Sequence, residues 1–117
     1  MKASDIKIIL EADVLTGEEN LNMDVFAACG SDLMSDVMAY VKDNVVLLTG
    51  LVNPQVVRTA EMMDIKMIVF IRGKRPEDSI VQMAKEKGII VMTTKDPMFI
   101  ACGKLYSAGL TERGVWD

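Results

Sequence analysis

The sequence contains no histidine and only two cysteines, Cys29 and Cys102, in 117 residues. Without imidazole the chain lacks the commonest general base at neutral pH and the commonest metal ligand. Neither cysteine has a second Cys nearby, so there is neither a zinc-ligand spacing nor a CxxC redox pair. Both are expected to behave as small buried hydrophobes rather than reactive thiols. No apolar run approaches the ~20 residues that span a bilayer, and no basic stretch followed by an apolar one opens the chain. A soluble, cytoplasmic protein that does not meet a membrane is therefore expected. Positive charge is also short: 13 Lys and Arg stand against 17 Asp and Glu, a net charge of −4. That balance argues against a nucleic-acid partner held through its phosphates.

Half of the residues are hydrophobic, enough for one core and one domain. The clearest signal runs from Lys66 to Thr94. An apolar run (Met67 to Phe70, then Ile71) is followed by a polar turn (Arg72-Gly73-Lys74-Arg75) and a helical segment from Pro76 to Lys87. Gly88 stops it before a second apolar run, Ile89 to Met92. Two apolar strands around one amphipathic helix make a βαβ unit with buried parallel strands. Upstream, Ser4 and Asp5 are placed to cap a short helix ending near Ala12. Val14-Leu15-Thr16 and Asp24 to Cys29 are β-prone, the second more clearly. Leu33, Met34, Val37, Met38 and Val41 recur at helical spacing within 31–42, leaving Ser35 and Asp36 on a solvated face. Val45 to Leu48 is a buried strand, and Asn53-Pro54 caps and opens a helix ending near Asp64. Asp96-Pro97 repeats that grammar for a last helix, 97–108, with Phe99, Ile100, Cys102, Leu105 and Tyr106 read as mostly core-facing. Gly109 is its carboxyl cap. The ten methionines read as adaptable core filling, several of them (Met34, Met38, Met63, Met83) at core spacing. The alternation predicts an α/β fold, a three-layer α/β/α sandwich on a mostly parallel sheet of four or five strands. Residues 1–110 form its single domain and 111–117 a tail in which Val115-Trp116 could latch onto a partner or the domain's own surface. Strand order is not legible.

Parallel sheets bind ligands outside the carboxyl ends of their strands. Four turns qualify: Cys29 to Asp32, Thr49-Gly50 to Asn53, Arg72 to Arg75, and Thr93-Thr94-Lys95-Asp96. The third places three cations beside a glycine in an acidic protein, and arginine grips a carboxylate or phosphate with two parallel hydrogen bonds. The bland alternative is a solvated turn neutralised by Glu77 and Asp78. The expected ligand-binding set is Thr49, Gly50, Asn53, Arg72, Gly73, Lys74, Arg75 and Thr94, facing a small anionic molecule. There is no Gly-Lys-Ser/Thr phosphate loop and no three-glycine dinucleotide fingerprint, and the adjacent carboxylates Glu18-Glu19 and Glu77-Asp78 do not converge as an acid/base pair. No catalytic residue, metal or cofactor is expected.

Four stretches carry a resemblance: Ser4 to Gly17, Ala28 to Met38, Leu47 to Ala60 and Ile68 to Leu110. On these the chain resembles a DRTGG domain, and more closely the small stand-alone members related to the amino-terminal domain of HPr kinase/phosphorylase. The pentapeptide Asp-Arg-Thr-Gly-Gly itself is absent from the sequence. The resemblance implies a three-layer α/β/α domain, a regulatory or assembly module rather than a catalyst, and attachment in relatives to enzymes such as phosphotransacetylases and CBS-containing pyrophosphatases. It also implies a homodimer with a partner enzyme. The kinase activity of the HPr kinase family belongs to a separate domain with a phosphate-binding loop, so it does not carry over. The competing expectation is a homodimeric interaction module with no small-molecule ligand.

Overall fold

Residues 1–41 and 44–113 are described by a computed structural model; Val115-Trp116 lies outside the described residues. In chain order the elements are α1 (Ala3–Ile9), β1 (Asp13–Thr16), a 3₁₀ turn (Glu18–Asn20), β2 (Ala27–Gly30), α2 (Met34–Tyr40) and β3 (Val45–Thr49). They continue with α3 (Pro54–Met62), β4 (Met67–Phe70), α4 (Asp78–Glu86), β5 (Ile90–Thr93) and α5 (Met98–Ser107). The strands form one sheet in the order β1-β5-β4-β3-β2. β2 to β5 run parallel, and β1 joins β5 antiparallel.

Every residue of β3, β4 and β5 is buried, because helices cover both faces of the sheet. Alternate strand residues serve opposite layers. Val45, Leu47, Ile68, Phe70 and Val91 pack with α2, α3 and α4; Val46, Leu48, Met67, Val69, Ile90 and Met92 pack with α1 and α5. The continuous apolar runs of the sequence are this two-sided burial. The three helices linking β2 to β5 lie on one face, so their crossovers share one hand; α5 leaves β5 for the opposite face. The expected sandwich and mostly parallel sheet are present, with five strands. Among the described residues no helix is long and apolar enough to cross a membrane.

Local details differ from expectation. Ser4 lies inside α1, whose N-cap is Lys2 with its N–H bonded to Asp5 Oδ2 at 2.8 Å. α2 begins three residues later than expected, because the Ser31 hydroxyl accepts the Leu33 N–H (3.0 Å) and holds 31–33 in a local turn. α4 starts at Asp78, leaving Pro76 in extended chain. Asp96 does not cap α5, whose N-cap is Pro97. On α5 only Ala101 and Leu105 are buried; Phe99, Ile100 and Tyr106 face outward. The cysteines are partly rather than fully buried and sit in opposite layers, Cys29 against the α2–α4 side and Cys102 against the α1/α5 side. Burial pushes both thiols up, Cys29 also through Cys102 and Asp36.

Candidate functional site

Because β2 to β5 are parallel, their four carboxyl-terminal turns meet along one rim, and the antiparallel β1 starts there with Asp13. Backbone hydrogen bonds stitch neighbouring turns together. Ser31 donates to the Leu48 carbonyl (3.0 Å), Ile71 to Thr49 (3.1 Å), Arg72 to Asp96 (2.9 Å) and Gly73 to Thr94 (2.7 Å). All eight sequence-predicted residues therefore stand on one edge of the sheet, in different roles.

At the end of β3, Asp32 reaches across from the β2 turn. Its Oδ1 accepts from the Thr49 hydroxyl (3.0 Å) and the Gly50 N–H (2.7 Å), and the Thr49 oxygen accepts from the Leu51 N–H (3.1 Å). Thr49 is fully buried, so its hydroxyl shapes the turn from within. Asn53 Oδ1 accepts the Gln55 N–H (3.0 Å) as the N-cap of α3, with Pro54 at the first helical position.

At the end of β4, Arg72 and Gly73 both have positive φ, 57° and 68°, and the Lys74 N–H returns to the Ile71 carbonyl at 3.1 Å. Two consecutive left-handed residues closed by that bond make a type I′ turn. For glycine this is free; for arginine it is strained. The Arg72 guanidinium lies against Gly50, where an added Cβ would stand 2.7 Å from Nη2, so glycine at 50 makes room for it. Arg72 has no side-chain hydrogen-bond or ion-pair partner among the described residues. Among the described residues Glu77 and Asp78 make no ion pair with this turn; Arg75 pairs with Asp13 instead, at 2.8 Å.

At the end of β5, both threonine hydroxyls are used internally. Thr93 donates to the Lys74 carbonyl (2.7 Å), and buried Thr94 donates to the Leu10 carbonyl (2.8 Å) while accepting the Asp96 N–H (3.3 Å). Asp96 Oδ2 pairs with Lys104 at 2.8 Å, and this hydrogen bond, helped by the Asp96 and Glu11 charges, holds the Lys104 ammonium above its ordinary range.

The Arg72-Gly73 turn divides the rim into two cavities. One, of about 410 Å³, is lined by Glu11, Asp13, Gly73, Arg75 and the stretch 93–96; its Asp13 and Asp96 are already paired, with Arg75 and Lys104. The other, of about 360 Å³, is lined by Asp32, Ile71, Arg72, Pro97, Met98 and Phe99. Here the unpaired guanidinium dominates. Asp32, although in one of the four candidate turns, and Phe99 lie outside the expected ligand-binding set. That Asp32 turns toward Thr49 requires knowing that β2 neighbours β3, and Phe99 falls at an apolar spacing that reads as core.

The family model for the DRTGG domain matches residues 5–105. Among solved structures, the CBS and DRTGG domains of the regulatory region of Clostridium perfringens pyrophosphatase, complexed with the activator diadenosine tetraphosphate, are similar with a TM-score of 0.72 at 17% identity. The likeness covers 88% of this chain and 46% of that one, so this chain spans less than half of that structure. At this identity the similarity establishes the fold. No curated protein matches the sequence.

Proposed function

The chain belongs to the DRTGG domain family, and from that premise we propose that it is a non-enzymatic regulatory domain that takes a small anionic metabolite or nucleotide at the rim where β2 to β5 end. The observation that carries this reading is the Arg72 side chain. It is a strained, exposed arginine whose side chain has no hydrogen-bond or ion-pair partner among the described residues, held where parallel-sheet domains receive ligands. Its fork suits a phosphate or carboxylate. Lys74 adds charge, Gly50 gives room for the guanidinium, Gly73 supplies the left-handed backbone of the turn, Asn53 sets the start of α3, and Thr49, Thr94 and Arg75 hold the surrounding turns. The rim carboxylates Asp13, Asp32 and Asp96 are each engaged in an ion pair or hydrogen bonds, which favours holding a shape over moving protons. A regulatory region of similar fold solved with a nucleotide activator is in keeping with that role.

Thermal-shift screening of nucleotides and phosphorylated metabolites tests it. A ligand at ~100 times its Kd adds about 2.7 kcal/mol, a rise in Tm on the order of 10 °C for a domain of this size. The rise is expected to vanish in Arg72→Ala. If no anion shifts the melting point, the reading fails.

A second reading, a homodimeric module that docks a partner enzyme, is favoured by large apolar side chains left exposed, among them Phe26, Leu33, Met62 and Tyr106. Light scattering is its test: a dimer mass supports it, and a monomer mass at high concentration counts against it.

A further inference from the structure

We propose that the cavity between the β4 turn and the start of α5 is a mononucleotide site, with the base stacked on Phe99, the phosphate held by Arg72 and the ribose hydroxyls received by Asp32. The inference rests on the anion-binding reading above and goes beyond it by naming the ligand class and the half of the rim. A single exposed apolar side chain means little. Phe99, however, is 84% exposed, more than any other large hydrophobic among the described residues, and lines one cavity with Arg72 and Asp32.

The three groups select against simpler ligands. Asp32 Oδ1 is already occupied by Thr49 and Gly50, while Oδ2 accepts no hydrogen bond among the described residues. A carboxylate acceptor beside the arginine repels a bare polyanion but suits a hydroxyl, which donates to it. Arginine supplies two parallel donors to a phosphate. The exposed ring offers a flat apolar face to a base. About 360 Å³ lies at the lower end of the ~300–1,000 Å³ typical of small-molecule sites, a size for one nucleotide rather than a dinucleotide. The other rim cavity has carboxylates from Glu11, Asp13 and Asp96 and no aromatic residue, so it does not offer this combination.

The test is calorimetry on the full chain with adenosine 5′-monophosphate and ribose 5-phosphate, for the wild type, Phe99→Ala and Phe99→Trp. The wild type is expected to bind the nucleotide about 10-fold or more tighter than the sugar phosphate, the usual effect of one stacked base. Phe99→Ala removes that advantage and leaves ribose 5-phosphate binding unchanged; Phe99→Trp keeps or increases it. Since Phe99 is exposed, neither change should disturb folding, which circular dichroism checks. If the two ligands bind equally, or Phe99→Ala leaves the nucleotide affinity intact, the mononucleotide site is overturned while the anion-binding rim stands. If neither ligand binds, the mononucleotide site is overturned, while the anion-binding rim is decided by the thermal-shift screen of other anions.

Discussion

Arg72 occupies a backbone conformation that costs a non-glycine residue about 1–2 kcal/mol, and among the described residues its side chain makes no hydrogen bond or ion pair to offset it. Glycine at 72 would remove the strain while losing about 0.5–1 kcal/mol more to backbone entropy. Arg72→Gly is therefore expected to stabilise the unliganded protein by about 0.5–1 kcal/mol, a rise of ~2–6 °C in Tm, and to abolish the ligand-induced shift. Opposite signs for stability and binding are what a residue retained for its ligand should show; scanning calorimetry with and without nucleotide reads both. A fall in stability would mean that the guanidinium supports the fold. Gly50 belongs to the same arrangement, since a side chain there would meet Arg72 Nη2 at 2.7 Å.

At the scale of elements, β1 is held to β5 through a register shift between Val14 and Thr16, and Gly17 then turns the chain over β5 at φ 92°. A Cβ at 17 would stand 2.8 Å from the Ile90 backbone. Gly17→Ala combines that overlap with a left-handed alanine and is expected to cost about 2–4 kcal/mol, lowering the urea midpoint with the m-value unchanged. On the strand-end rim itself, the Lys104–Asp96 pair ties α5 to the turn after β5. The Lys104 ammonium is held above its ordinary 10.5, so its contribution is complete below that value and is lost as pH rises through the raised one. Lys104→Met should melt lower than the wild type at pH 8, and the gap should close in strong alkali; a gap constant with pH would assign the effect to packing. What was legible in the sequence follows the same physics. The βαβ unit from 66 to 94 was readable because strands buried on both faces cannot carry polar residues. The antiparallel partner of β1 was not, since pairing Asp13 with Thr93 leaves no local trace. Periodicity places Phe99 and Tyr106 in the core, where the structure leaves them exposed, because it reports the helix but not which flank lacks a neighbour. The four turns were visible as turns; the use of Asp32, Thr49 and Thr94 inside the rim depended on strand order.

On the scale of the whole molecule, a sheet with both faces covered leaves its rims as the natural places for a ligand, and the rim at the strand ends combines fixed turns with an uncommitted cation. A ligand there would bridge the turns after β2 and β4 and the start of α5. It would therefore tighten the contact between the two helical layers and act on the domain by mass action alone. The most direct measurement is amide chemical-shift mapping by NMR during titration with adenosine 5′-monophosphate. The expected result is saturable perturbation concentrated at 32, 50, 71–73 and 98–99, lost in Arg72→Gly. Perturbations at the opposite rim, near Asn44, Lys66 and Gly88, or none at all, would contradict it.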